Sequence, residues 1–250
     1  MLSPVKDAHQ AGIARTAPPS PSEMRKDLQE EEFETRWEAG PAVALLIVTQ
    51  VVLALLSRQA GWQLWIFPWF AWLVPVVPEA VLLMAFALEG PRRQLEQMGL
   101  RRTVALSLLG LISVATLFLV LSLVASLLSG NEHDGAELLL KAVAVWTTNV
   151  ITFGLWFWGL DRGGPVRRLE RDELTPDFLF PQMDDPQLAP ADWRPRLLDY
   201  MYVSFTNSIA FSPTDAMPLT HVAKSLMLLE SAVSAMTLVL LTARAVNILV

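Results

Sequence analysis

The feature that most constrains this chain is a stretch of 28 residues, 103–130, that contains no charged side chain. A helix over this stretch would be about 42 Å long, and about 20 apolar residues are enough to cross the roughly 30 Å hydrocarbon core of a bilayer. Further apolar stretches with few charges cover residues 39–57, 62–88, 136–160 and 221–248. The sequence therefore predicts an all-α, polytopic helical membrane protein with about five transmembrane helices.

The charged side chains are concentrated in three segments. Of 44 charged residues, 13 lie in residues 1–40, 6 in 89–102 and 15 in 161–199. Only 18% of the chain is charged, whereas about a quarter of a soluble domain is. No segment is basic enough to bind nucleic acid, and the absence of cysteine excludes a disulfide, a thiolate metal site and a cysteine nucleophile. This distribution argues against a soluble enzyme and a nucleic-acid-binding protein, and we expect no cofactor.

The charge pattern also divides the chain into segments and predicts their orientation. We expect a cytoplasmic tail over 1–38 (disordered, then a surface helix), a four-span bundle over 39–160, a Pro-rich polar loop over 161–199, and a re-entrant loop with the final transmembrane helix over 200–250. The short connection between the apolar stretches 62–88 and 103–130 carries Arg92, Arg93, Arg101 and Arg102. The connection at 131–137 instead carries three acidic residues and no Lys or Arg. Basic loops stay in the cytoplasm. Because two predicted spans, 39–57 and 62–88, separate the basic connection from the N-terminus, the N-terminus is expected in the cytoplasm as well.

Two groups of aromatic residues indicate membrane interfaces. Trp62, Trp65, Trp69 and Trp72 follow a 3-4-3 spacing, which predicts four indoles on one helix face in an aromatic belt. A second belt is expected at residues 156–158. Pro75 and Pro78 predict a kink in the helix over 62–88, which neighbouring helices can accommodate.

The segment between Asp199 and Asp215 is too short to cross a bilayer. Its 15 uncharged residues would form a helix of about 22 Å, against roughly 30 Å of hydrocarbon. This length predicts a helix that enters the membrane and turns back, which gives five spans and an external C-terminus. The alternative, favoured by Arg244 near the C-terminus, is a sixth short span over 196–212.

This segment and the following helix resemble the two-span pore module of potassium channels. The resemblance lies in a short Tyr/Phe/Thr helix, a loop ending in Asp215-Ala-Met-Pro218, and an early Leu229-Glu230 in the next helix. Ser208-Ile-Ala-Phe-Ser212 stands where those channels have Thr-Val-Gly-Tyr-Gly. Both filter glycines are replaced, and carbonyl-lined filters need the backbone freedom of glycine. The resemblance therefore implies a pore-loop layout without a potassium-selective filter.

A second resemblance covers residues 155–247 and is to a family of uncharacterised bacterial integral-membrane proteins. The strings that carry it are Asp161-Arg-Gly-Gly-Pro165, Pro176-Asp-Phe-Leu-Phe-Pro-Gln-Met183, Asp199-Tyr200, Ala210-Phe-Ser-Pro-Thr-Asp215 and Arg244-Ala-Val-Asn247. It implies a helical fold in the bacterial inner membrane, and it implies no activity.

Ionisable residues inside predicted spans are functional candidates by default, and three stand out. Glu79, Lys141 and Glu230 lie within the second, fourth and last apolar stretches. If the last span starts in the cytoplasm, Glu230 matches the depth of Glu79, and the two carboxyl groups could hold a proton or a cation. If it starts outside, Glu230 instead matches Lys141, which favours an ion pair. His133, between two acidic residues in a short loop, is not expected to bind a metal.

These features lead to two hypotheses of function. The first is a channel-like or permeation role, in which the re-entrant loop lines a polar path for a small ion or proton, with Ser212, Thr214 and Asp215 at its mouth and Glu79 or Glu230 deeper. A pore built on one such loop per chain predicts a homo-oligomer. The second is a non-conducting membrane scaffold or regulatory protein that binds a partner through the tail and the 161–199 loop. An enzyme is not expected, because the sequence shows no nucleophile and base.

Overall fold

The computed structural model describes most of the chain from residue 39 onward. The described residues are 39–88, 90, 95, 98–129, 135–165, 168, 175–185, 187–190, 193–210, 212 and 216–249, and the side chains of 86, 87, 240, 241 and 243–249 are not among them. The expected tail over 1–38, Arg92, Arg93 and His133 lie outside the described residues. So do Thr214, Asp215 and the side chains of Arg244 and Asn247.

The described part of the chain is almost entirely helical. Its elements are α1 (Gly40–Ala60), a 3-10 helix (Trp69–Leu73), α2 (Val76–Ala87), α3 (Arg101–Ser129), α4 (Gly135–Leu160), a 3-10 turn (Asp161–Gly163), β1 (Phe178–Leu179), α5 (Pro181–Asp184), α6 (Leu197–Ala210), β2 (Met217–Pro218) and α7 (His221–Leu249). Four of these helices, α1, α3, α4 and α7, are long and apolar enough to cross a membrane. The predicted all-α polytopic membrane fold is confirmed.

The fifth expected span is shorter and broken. The 3-10 helix and α2 form an apolar segment, Trp69–Ala85, that falls short of the length of the four long helices. Residues 62–68 are not helical, and Leu64 and Phe67 form an isolated bridge instead. The predicted single helix face of four indoles is therefore wrong. Gly61, with φ +73°, ends α1, and Pro68, which has no N–H to donate, delays the next helix.

Helix α4 is the centre of the bundle. It packs against α1, α3, α6 and α7, and 72% of its apolar window is buried, against 28–39% for the other three long helices. Near the end of α4, Gly159 faces Leu106 in the second turn of α3. Near its start, Lys141 Nζ donates to the Gln63 carbonyl just after α1, at 2.6 Å. Both α1 and α3 therefore run antiparallel to α4.

Helices α6 and α7 both begin at the end of the bundle where α4 stops. The Tyr200 hydroxyl, in the first turn of α6, donates to Asp161 at 2.5 Å. The Thr220 hydroxyl, just before α7, donates at 2.6 Å to Asp177, whose own N–H donates to Asp161. The chain that leaves this end along α6 has thus returned to it by Thr220. Whether this segment is a re-entrant loop or a sixth span over 196–212 stays a prediction.

The aromatic residues at the end of α4 are mostly core residues. Phe157 is fully buried and Trp158 is 4% exposed, so the expected second aromatic belt at 156–158 is wrong for these two positions. Phe157 packs on Phe178 of β1, with ring centroids 5.0 Å apart. The described residues around Phe178 therefore fold against this end of the bundle.

Candidate functional site

The strongest polar site inside the bundle surrounds Glu230. This residue lies in the third turn of α7, within a membrane-crossing helix, and none of its surface is exposed. Asn207 Nδ2 lies 2.7 Å from its Oε2, and the Ser204 hydroxyl contacts its Oε1. Both partners come from α6, so the short helix supplies the polar contacts of the buried carboxyl group.

Helix α6 presents these groups because its buried residues share one face. Tyr200, Ser204, Asn207 and Ser208 follow a spacing of four, three and one, which places them on one side of an α-helix, and all are at least 98% buried. The opposite side carries exposed Tyr202, at 49%. The buried face packs between α4 and α7. It therefore presents hydroxyl and amide groups to the interior of the protein.

The contacts of Ser204 require one more proton than its own hydroxyl group supplies. Its Oγ lies 2.7 Å from the Val150 carbonyl oxygen of α4 and also contacts Glu230 Oε1. A serine hydroxyl has a single hydrogen to donate, and both of these neighbours are acceptors. Both contacts are hydrogen bonds only when Glu230 carries a proton, donates it to Ser204 Oγ, and Ser204 donates in turn to Val150. The geometry therefore matches a protonated Glu230.

Further amide and hydroxyl groups complete the surroundings of Glu230. Asn149 Nδ2, from α4, donates to Ser234 Oγ of α7 at 3.0 Å, and Ser231 Oγ donates to Asn207 Oδ1 at 3.1 Å. Asn149 also lines a cavity of about 160 Å³ between α3, α4 and α7, together with Thr152 and mostly apolar side chains. The polar cluster thus spans three helices.

Glu79 forms a separate site with Gln50. Glu79 is fully buried in the first turn of α2, and Gln50 of α1 is 2% exposed. Gln50 Nε2 donates to Glu79 Oε1 at 2.7 Å. Two oxygens of the pair, the amide oxygen Gln50 Oε1 and the second carboxyl oxygen Glu79 Oε2, are buried without a hydrogen-bond partner among the described residues. The carboxyl groups of Glu79 and Glu230 therefore have different partners, and the two do not form the shared site that depth alone suggested.

Lys141 is not among the partners given above for the carboxyl groups of Glu79 and Glu230. It is fully buried, and its Nζ lies 2.5 Å from Glu137 one turn earlier on α4 and 2.6 Å from the Gln63 carbonyl. The contacts of Lys141 are thus a local i,i+4 pair and a backbone carbonyl, and the alternative of a long-range ion pair with Glu230 is not among them. The cause of the local pair is sequence spacing, since residues four apart lie on the same side of a helix.

A third buried network, centred on Asp161, joins the ends of α4, α6 and α7. Asp161 Oδ1 accepts the backbone N–H groups of Asp177 and Phe178, at 2.7 and 3.3 Å, and its Oδ2 accepts the Tyr200 hydroxyl. Arg168 Nη1 donates to the Tyr200 oxygen at 3.1 Å and to the last turn of α4 at 2.8 Å. The carboxyl group of Asp161 therefore organises the chain that follows α4.

Burial dominates the electrostatics of this network at Tyr200. It raises the pKa of the Tyr200 phenol well above its ordinary value, and the neighbouring Arg168 guanidinium opposes that rise. The sequence reasoning did not select this network as a site. Asp161, Asp177 and Tyr200 are separated by 16 and 23 residues along the chain, so no local spacing indicates that they meet.

The candidate mouth of the path is only partly described. Ser212 is exposed beyond the end of α6, whereas Thr214 and Asp215 lie outside the described residues. Among the described residues, no group of three or more His, Cys, Asp and Glu side chains could hold a metal ion.

Comparison of the chain with protein-family models, with curated proteins and with solved structures finds no match. The resemblances to a bacterial membrane family and to a channel pore module therefore stay predictions. Any functional argument has to start from the buried groups themselves.

Proposed function

We propose that this protein carries protons across a membrane and that Glu230 is the proton-binding residue on the path. The observation that carries the proposal is the contact set of Ser204, which lies between Glu230 and the Val150 carbonyl and needs a proton on the carboxyl group. Ionisable residues inside membrane helices mark proton relays and ion pathways in many transporters and pumps.

The surroundings of Glu230 suit a proton better than a metal cation. Both carboxyl oxygens contact protein groups, Ser204 and Asn207, and the described residues contain no group of three or more His, Cys, Asp and Glu side chains that could hold a metal ion. The Ser204 hydroxyl, which accepts from the protonated Glu230 and donates to the Val150 carbonyl, holds the carboxyl proton in place until another acceptor takes it. Ser212, Thr214 and Asp215 stay candidates for the mouth of the path on sequence grounds, and one such loop per chain favours an oligomer.

Proton flux into liposomes tests this proposal. The purified protein is reconstituted with a pH-sensitive dye inside the vesicles, and a potassium gradient with valinomycin drives proton entry. We expect acidification faster than in empty vesicles for the natural sequence, and a return to the empty-vesicle rate for Glu230→Gln. Thr206→Val is a matched control, because the Thr206 hydroxyl bonds only to backbone carbonyls of its own helix.

Two results would contradict the proposal. One is flux no faster than in empty vesicles for the natural sequence, and the other is equal flux for the natural sequence and Glu230→Gln. The first would favour the alternative of a non-conducting scaffold that binds a partner through its tail and its 161–199 loop, and the second would show that the proton path does not depend on Glu230.

A further inference from the structure

The pair formed by Gln50 and Glu79 has an unusual pattern of satisfied and unsatisfied atoms. One bond joins them, from Gln50 Nε2 to Glu79 Oε1, at 2.7 Å. The atoms left over, Gln50 Oε1 and Glu79 Oε2, are both acceptors when the carboxyl group is ionised, and both are buried without a hydrogen-bond partner among the described residues. Buried polar atoms are normally bonded, so two orphaned acceptors on one bonded pair need an explanation.

We infer that Gln50 and Glu79 form a proton-binding site, in which one proton on Glu79 Oε2 is shared with Gln50 Oε1. An amide and a carboxylic acid can bond in a ring: the amide N–H donates to one carboxyl oxygen, and the carboxyl O–H donates to the amide oxygen. A single proton thus satisfies both orphaned atoms, and no other ligand is needed. The ligand is the proton itself, and its loss would leave two buried acceptors without a donor.

The position of the pair suggests what proton loss would do. Glu79 lies in the first turn of α2, directly after the break between the 3-10 helix and α2, and Gln50 lies in the middle of α1. In a continuous helix the Val74 carbonyl would be bonded by residue 78, but that residue is Pro78, which has no N–H. The acid–amide pair is therefore a side-chain bond that ties the broken segment to α1. Its protonation controls how firmly the break is held.

No charged group on the neighbouring elements contacts Glu79 among the described residues. Elements packed against α2 are α1, the 3-10 helix and α3. In α1 the described titratable residue is Arg58, eight residues beyond Gln50, and it stacks on Trp69 with its guanidinium carbon 5.3 Å from the ring centroid. In α3 the titratable residues are Arg101 and Arg102, at its start. The amide of Gln50 is thus the group that responds to the protonation of Glu79.

This inference does not rest on proton transport, and its test is an equilibrium measurement. Infrared spectra of the purified protein in lipid nanodiscs report protonated carboxyl groups through their carbonyl stretching band. Spectra are compared between Glu230→Gln, which removes the buried carboxyl group of α7, and the double variant with Glu79→Gln. We expect a carboxylic acid band at neutral pH in Glu230→Gln that is lost in the double variant. Gln50→Leu, in the same background, should shift that band because its hydrogen-bond partner is gone.

A second readout keeps the test informative if one variant folds poorly. In Glu79→Gln the new amide can make the same ring with Gln50, so its melting temperature should match that of the natural protein at neutral pH. Raising the pH should lower the melting temperature of the natural protein and leave Glu79→Gln less affected. The inference is overturned if no band depends on Glu79, if the band is indifferent to Gln50→Leu, or if sodium or potassium at constant pH abolishes it, which would assign the site to a cation.

Discussion

Replacing Tyr200 by Phe tests how the polar network at the end of α4 stabilises the protein. The substitution removes one hydroxyl group, which donates to Asp161 at 2.5 Å and accepts from Arg168 at 3.1 Å. The ring stays, and with it the edge contacts to Phe178 and Phe180, with centroids 6.2 and 5.4 Å away. The measured effect therefore reports the hydroxyl group and not the loss of packing.

The size of the effect follows from the two bonds that are lost. Hydrogen bonds to charged groups contribute about 1.5–3 kcal/mol each, and a direct approach of Arg168 to Asp161 would recover part of that loss. We expect Tyr200→Phe to lower the free energy of unfolding by about 2–4 kcal/mol. In a chain of this size each kcal/mol corresponds to about 2–4 °C, so the melting temperature should fall by roughly 5–15 °C.

Thermal unfolding in detergent micelles, followed by tryptophan fluorescence, measures this change. Tyr202→Phe is the matched control, because Tyr202 lies on the same helix, is 49% exposed, and is the other of the two tyrosines in the chain. Its melting temperature should stay at that of the natural protein. Equal melting temperatures for Tyr200→Phe and Tyr202→Phe would refute the reasoning, since the network would then add nothing to stability.

Two further predictions concern α4 and the ionisation of Tyr200. A methyl group at Gly154 would meet the Met201 sulfur at 2.4 Å and its Cα at 3.2 Å, so Gly154→Ala should destabilise the contact of α4 with α6 by about 1–3 kcal/mol. Gly159→Ala should be tolerated, because the nearest neighbour of its methyl group would lie at 3.8 Å. The melting temperatures of the two variants test this difference. Because the folded-state pKa of Tyr200 is raised, its contribution to stability is present below about pH 10, where an unfolded tyrosine ionises, and is lost as the pH rises toward the folded value. In Tyr202→Phe, carbon-13 NMR of the remaining tyrosine should show a neutral phenol at a pH where the unfolded protein already shows phenolate, and simultaneous ionisation would contradict the burial argument.

The sequence predicted the membrane-crossing helices well because their signal is local. A stretch of about 20 apolar residues without charges has few structural alternatives, and α1, α3, α4 and α7 all lie where such stretches occur. The second stretch was predicted less accurately. Pro75 and Pro78 indicated a kink, but a spacing of 3-4-3 among tryptophans also fits a segment that is only partly helical. Helical spacing is evidence for a helix only where the backbone can form one. Residues 62–68 do not form a helix.

The buried candidates were identified correctly as buried, but their partners were not predicted. Glu79 and Glu230 are both fully buried, as expected for residues inside spans. Their depth along a helix axis says nothing about which neighbour they face, because the rotation and packing order of the helices are tertiary properties. The polar face of α6 was the signal that could have been used: Ser204 and Asn207 are three residues apart and can therefore address one carboxyl group on a neighbouring helix.

In the proposed function, the carboxyl group of Glu230 carries the proton that crosses the membrane. The most direct measurement is the proton flux of Glu230→Asp beside that of Glu230→Gln, in vesicles with matched protein content. We expect measurable flux for the aspartate variant, because it keeps an ionisable carboxyl group. We expect only the empty-vesicle rate for the glutamine variant, because it cannot release a proton. Equal flux for the two variants would contradict the proposed function.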